Sequence, residues 1–168
     1  MCACLSKTME SVSYIMGGAL GGVESNIDEH HLKTLNKTNR ITVPCFGLED
    51  VLDVIKSNHI DFFSLDVEGA EMSILESLRE GLVSKWFTVD VWSIEYRVWD
   101  GQRVVLENSL ANLNALRNYF KGIGGYKEHS QLSNDGNIKD GYALDVVFVR
   151  EEMFCKKHDT WPNGDTCN

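Results

Sequence analysis

The sequence is short of positive charge. Sixteen Lys and Arg stand against twenty-five Asp and Glu, a formal net charge of -9. Binding to a phosphate backbone depends on clustered Lys and Arg, and no basic run or basic-aromatic stripe occurs, so no nucleic-acid partner is expected. Also missing is any apolar run near the ~18 residues that a membrane helix needs. The opening MCACLSKTMES has neither the basic region nor the apolar core of a signal peptide, which, as written, predicts a cytoplasmic protein. The five histidines all fall in polar stretches, and no Ser-His-Asp or Cys-His constellation is visible. There is no internal repeat, low-complexity segment or interior linker.

What is present is an ordinary globular composition. Of 168 residues, 43% are hydrophobic and 24% charged, about one domain's length. Such a chain buries ~70% of its unfolded surface. Five cysteines cannot all pair within one chain. Cys2, Cys4 and Cys45 read as reduced thiols. Cys155 and Cys167 bracket a polar tail that suits an oxidising compartment, either disordered or closed by a simple disulfide. A zinc site built from Cys155, His158 and Cys167 with Cys2 or Cys4 matches no standard spacing. The Asn36-Lys37-Thr38 sequon means little without a secretory signal.

Periodicity predicts the elements. Ser11 to Met16 alternates polar and apolar and reads as a strand. The glycines of GGALGG, Gly17 to Gly22, do not follow the dinucleotide spacing and read as a turn. Glu24 to Arg40 is polar and aperiodic. Asp28, Glu29, His30 and His31 within it read as solvated, because adjacent loop side chains rarely converge on one ion. Ile41 to Phe46 is a second strand, which Pro44 places at an edge or an end. A helix then starts with Gly47 as N-cap and Asp50 three residues on, with Val51, Leu52 and Ile55 as its buried stripe.

Ile60 to Val67 is nearly continuously apolar, the pattern of a central strand covered on both faces. Three carboxylates around Gly69 end it: Asp66, Glu68 and Glu71. A helix follows, with Met72, Leu75 and Leu78 inward and Gly81 as its stop. Trp86 to Tyr96 is another buried strand, ending on Glu95. Arg103 to Lys121 is an amphipathic helix, closed by Gly122, Gly124 and Gly125. Tyr126 to Ser133 and Tyr142 to Val149 form a terminal hairpin across the turn at Asn134-Asp135-Gly136-Asn137. The alternation predicts an α/β fold: a mainly parallel sheet with helices on both faces and an antiparallel C-terminal hairpin. Residues 1–152 would be the domain and 153–168 the tail.

If the strands ending at Asp66 and Glu95 are neighbours, their carboxylates share one rim of the sheet with Glu68, ~5 Å apart. Such a cluster can accept hydrogen bonds from a hydroxyl or a cation, act as base, or hold a hard metal; no metal is assigned to it. Glu71 divides between this rim and the first turn of the helix, where the dipole favours an acid. Tyr96, Arg97 and Trp99 offer pocket walls, or more plainly a partly exposed loop with an aromatic anchor.

ITVPCFGLEDVL followed by IDFFSLDVEGAEMSIL resembles the FkbM family of S-adenosylmethionine-dependent methyltransferases over about Ile41 to Tyr96. There a V-P-x-x-x-L-D strand leads through a helix to an I-D-x-x-x-x-D-x-E-G-A-E strand-turn. The segments CACLS, VSYIMGGALGG and FSLDVEGAE are similar to the metazoan Star-like branch, which includes membrane-anchored secretory-pathway proteins. The resemblance implies a partial Rossmann-like class I methyltransferase sheet and methyl transfer to an oxygen of a small-molecule or glycan-like acceptor. Asp66, Glu68 and Glu95 would be catalytic, Asp66 would also serve the cofactor, and Glu71 and Tyr96 would meet the substrate. The family's D-x-G-A-N-x-G loop is absent, so the chain reads as the family's C-terminal portion, with weak S-adenosylmethionine binding and little activity alone. A Star-like protein would instead be a non-catalytic interaction domain in the secretory lumen or at its membrane. A missing flanking strand would leave an exposed sheet edge able to self-associate.

Overall fold

The computed structural model describes residues 4–6, 10–17, 21–25, 27, 33, 39–100, 103–133, 144–156, 160–161 and 164–167. The readings made for His30, His31, the sequon, Cys2 and the 134–137 turn lie outside them. Among the described residues there are eight strands and four helices: β1 (Cys4–Leu5), β2 (Ser11–Ile15), β3 (Gly22–Val23), β4 (Arg40–Phe46), α1 (Leu48–Ile55), β5 (His59–Leu65), α2 (Glu71–Val83), β6 (Thr88–Glu95), α3 (Leu106–Ile123), β7 (Tyr126–Ser133), β8 (Leu144–Arg150) and α4 (Glu151–Cys155).

The strands form two four-stranded sheets, ordered β1-β4-β2-β3 and β5-β6-β8-β7. This corrects the single, mainly parallel sheet. Of the described ladders, β1–β4 and β5–β6 are parallel. The β2–β3, β2–β4, β6–β8 and β7–β8 ladders are antiparallel. The division has a local cause. β4 already pairs with β2 along five residues and with β1 at Cys45 and Phe46, so both its edges are in use and β5 is left with β6 alone. β4 is therefore interior rather than an edge. Pro44 is tolerated because the Cys45 N–H bonds Glu10 on the β2 side. Alternation then turns the Pro44 nitrogen to the other side, where β1 covers only the last two positions of β4. Cys4 and Cys45, opposite each other in that ladder, form a disulfide, and Cys155–Cys167 form a second. The first pair overturns the expectation of reduced thiols at Cys4 and Cys45.

β5 is thus an edge strand, not a central one, and Phe62 on it is 59% exposed. The apolar run is covered on one face. Phe63 stacks on Trp92 at 4.7 Å, and Phe120 of α3 stacks on Phe148 at 4.2 Å. These rings sit in one core with Leu75, Leu78 and Leu82 of α2 and Leu113 and Leu116 of α3. The antiparallel β7–β8 hairpin forms as the sequence predicted.

Helix details differ in instructive ways. In α1 the Gly47 N–H bonds the Asp50 carboxylate at 2.9 Å, as the cap reading predicts. Leu48 and Leu52 are buried, one turn apart, while Val51 and Ile55 are exposed. Apolar residues cover more of this short helix than one core-facing stripe, so part of the set is left outside. Gly81 does not stop α2, which runs on to Val83. A Cβ at Gly81 would lie 2.5 Å from the Phe87 ring, so the glycine is there to admit that ring. The tail is docked: Trp161 is buried and stacks on Phe154 at 4.2 Å, and Lys127 pairs with Asp165.

Candidate functional site

The conditional placement of the acids is met, because β5 and β6 are neighbours in parallel register with Leu65 opposite Ile94. The next position in that register sets Asp66 beside Glu95. Glu95 in turn faces Asp145 directly across the β6–β8 ladder. Three carboxylates therefore stand abreast on one face at adjacent strand ends, at the usual ~5 Å strand spacing. One carboxylate oxygen from each of Asp66, Glu68 and Glu95 lies within 4.8 Å of the other two.

The turn that follows β5 explains the D-x-E-G-A-E pattern residue by residue. Glu68 has φ 53° and Gly69 φ 97°, two left-handed residues in succession. Gly69 meets that demand without strain. Glu71, the first residue of α2, reaches back: its Oε1 accepts the Val67 N–H at 3.0 Å and the Gly69 N–H at 3.2 Å. Only 8% of Glu71 is exposed. Its carboxylate thus closes the turn, in the first helical turn where the dipole favours it. Asp66 is exposed and Glu68 partly so, and both face the rim.

Glu95 is the buried member, 7% exposed. Burial pushes its carboxyl up to about 8, against the pull of Arg97. The charges of Asp66 and Glu68 and a hydrogen bond to Asp66 push the same way. Arg97 donates from Nε to Glu95 at 2.9 Å and its Nη2 lies 3.8 Å from Glu68, so one guanidinium ties the buried acid to the turn. Burial, with the charge of Asp66, also raises Asp145. One cation among four carboxylates leaves the rim acidic, suited to a cationic group or a hydroxyl proton.

Tyr96 follows Glu95 and so points to the opposite face. Its ring is buried, and burial raises its hydroxyl, with Arg117 pulling it down and Glu128 pushing it up. Trp99 lies beside Arg97, ring centroid 5.9 Å from the guanidinium carbon. Asp145 was not singled out from the sequence. The signal was there, a lone acid inside YALDVVFV, but its importance depends on which residue of β6 it faces.

The rim suits the cationic end of S-adenosylmethionine, since its carboxylates can balance a sulfonium and accept from an ammonium group. For the adenosine end the described residues offer less. The glycine-rich segment after β2 leads into β3, which pairs back antiparallel with Tyr14 opposite Val23. Among the described residues β2 is thus followed by an antiparallel strand rather than by the helix that a phosphate or cofactor loop opens. A cleft of about 380 Å³ lined by Lys127, Glu151, Cys155, Trp161, Asp165 and Thr166 lies at the other end of the second sheet.

Comparison with curated proteins and with solved structures finds no match. A protein-family model does match: the methyltransferase FkbM domain, over residues 6–128. The match takes in the β5–α2 turn and Glu95 with the strands that carry them, and the chain belongs to the FkbM methyltransferase family.

Proposed function

We propose that the acidic rim is the acceptor side of an S-adenosylmethionine-dependent methyl transfer to an oxygen nucleophile, such as a hydroxyl of a small-molecule or glycan-like acceptor. The observation that carries this reading is the abreast placement of Asp66 and Glu95 at adjacent strand ends, bridged to Glu68 by Arg97. Sheets of this class bind ligands outside the carboxyl ends of parallel strands. When bound, the cofactor supplies a methyl group on a positively charged sulfur. The chain's own residues orient the acceptor and manage its proton. Asp66, exposed at the rim, accepts the hydrogen bond of the acceptor hydroxyl and takes its proton as the oxygen gains the methyl group. Glu95, protonated at neutral pH by its burial, donates to Asp66 and steadies it. Glu68 adds negative charge that draws the cationic end of the cofactor to the rim. Positioning is most of the task.

Among the described residues only one end of the cofactor finds partners, so binding by this chain should be weaker than micromolar. Chemical-shift mapping with millimolar S-adenosylmethionine tests the site without needing the acceptor. Shifts should concentrate at residues 66–69 and 95–97 and vanish in Asp66→Ala. Shifts elsewhere, or none, overturn the site; micromolar binding by calorimetry overturns the claim of weakness.

One observation favours a second reading, a non-catalytic Star-like interaction domain of the secretory pathway. Two disulfides, Cys4–Cys45 and Cys155–Cys167, suit an oxidising compartment rather than the cytosol. Methyl transfer by the full-length protein that is lost in Asp66→Ala, with folding intact, rejects it.

A further inference from the structure

At the start of the second sheet, six residues upstream of Leu65 and so ~20 Å from the acidic rim, His59, Asp61 and Asp90 converge. Register explains it. His59 is opposite Thr88 and Ile60 opposite Val89 in the parallel β5–β6 ladder, so His59, Asp61, Thr88 and Asp90 share one face. The His59 Nε2 lies 3.4 Å from an Asp90 oxygen and 3.6 Å from an Asp61 oxygen. Ligand atoms bonded to a tetrahedral zinc at ~2.0–2.1 Å are about 3.3 Å apart. The three donors already stand near that spacing, with all ligand atoms within 4.8 Å of one another.

Two further contacts lie outside the donor set and aim it. His59 Nδ1 is 2.9 Å from the Thr88 hydroxyl, which fixes the ring and leaves Nε2 for the carboxylates. Arg150 holds the other Asp90 oxygen, with Nη2 at 2.7 Å and Nε at 2.9 Å from Oδ1, so Oδ2 faces the histidine. Buttressing of this kind, with one nitrogen and one oxygen left for the ion, is the outer shell that metal-binding His and Asp residues usually carry. Asp61, 96% exposed, keeps one side open for entry and for a water as fourth ligand. An imidazole with two carboxylates selects a zinc-like divalent ion over magnesium or calcium, which prefer all-oxygen shells. We propose that His59, Asp61 and Asp90, aimed by Thr88 and Arg150, form a solvent-accessible binding site for a zinc-like divalent transition-metal ion at the amino-terminal end of β5 and β6. The site is separate from the acidic rim and does not depend on methyl transfer.

Equilibrium dialysis of Zn²⁺ against the metal-stripped full chain is the direct test. One equivalent per chain is expected, with Mg²⁺ failing to compete at a hundredfold excess. His59→Ala and Asp61→Asn should each weaken binding at least about tenfold, and Thr88→Val about tenfold through loss of ring orientation. Asp61 is too exposed for its substitution to affect folding, so its loss of binding reads the ligand itself. Glu95→Gln and Cys2→Ser should retain the equivalent. In the zinc-loaded chain the His59 Nε2 NMR resonance should move while Nδ1 stays bonded to Thr88. Absence of stoichiometric zinc, zinc that survives both His59→Ala and Asp61→Asn, or zinc lost with Glu95→Gln overturns the site.

Discussion

Burial takes most of the water from Glu95 and leaves it beside Asp66 and Glu68, with Arg97 compensating in part. The carboxyl titrates near 4.5 when unfolded and at about 8 when folded. Between those values the folded chain holds the extra proton, so this residue makes stability fall as pH rises from about 4.5 to about 8, and contributes no slope beyond. Glu95→Gln should flatten that part of the curve and gain most, relative to the native chain, above pH 8 in urea titrations at stepped pH. The difference between the two curves isolates Glu95 from Asp145, which is raised as well, and from Glu128, which Arg117 holds low. Parallel curves would show that Glu95 is ionised throughout. Glu71 predicts differently. Glu71→Leu strips the acceptor from the Val67 and Gly69 N–H groups and should cost about 2 kcal/mol in urea unfolding. A cost under about 0.5 kcal/mol would mean that water replaces the carboxylate, since an unmade buried hydrogen bond costs more.

Elements carry two further predictions. Gly81 lies inside α2, where alanine ordinarily gains about 1 kcal/mol. Here the new Cβ meets the Phe87 ring, so Gly81→Ala should destabilise, by roughly 1–3 kcal/mol, as overpacking does. Gly81→Ala with Phe87→Leu should recover much of the loss in thermal melts; a stabilised single variant would refute the steric account. The Cys4–Cys45 disulfide closes 41 residues and ties β1 to β4. Loop closure of that length is worth about 4 kcal/mol, so a Cys4→Ser, Cys45→Ser chain should unfold at clearly lower urea, whereas an unchanged midpoint would mean that the thiols are reduced. These elements show how far sequence carries. The periodicity of α3 and the β7–β8 hairpin were legible because each pattern is complete within a short window. Gly81 was misread as a stop because the Phe87 ring that requires it comes from the next segment.

For the molecule as a whole, the open edge of β5 is the main liability. Among the described residues no strand pairs with its outer side, and Phe62 stands exposed on it. Unpaired N–H and C=O groups along an apolar edge invite a second copy. Sedimentation should show a weight-average mass that climbs with concentration, and Phe62→Lys should suppress the climb. A clean monomer at high concentration would count against edge pairing. The candidate site was legible in part for the same structural reason. Asp66, Glu68 and Glu95 were found because they stand where two apolar strands end, Asp66 and Glu68 after β5 and Glu95 on β6. Arg97's grip on two of them, and Asp145 across the ladder, depend on which strands lie side by side.

The sequence by itself determined the local facts: where most of the longer strands and helices run, that acids gather at the ends of β5 and β6, and the family to which these motifs belong. Tertiary structure alone decided the partition into two sheets, the edge position of β5, the Cys4–Cys45 bond, the burial that raises Glu95 and the meeting of His59 with Asp90. The division follows from distance along the chain. Periodicity and turn chemistry act between residues a few positions apart, so a window of sequence contains their cause. Strand pairing joins residues tens of positions apart, and the choice of partner rests on competition for edges, as when β2 and β1 occupied both sides of β4 and left β5 open.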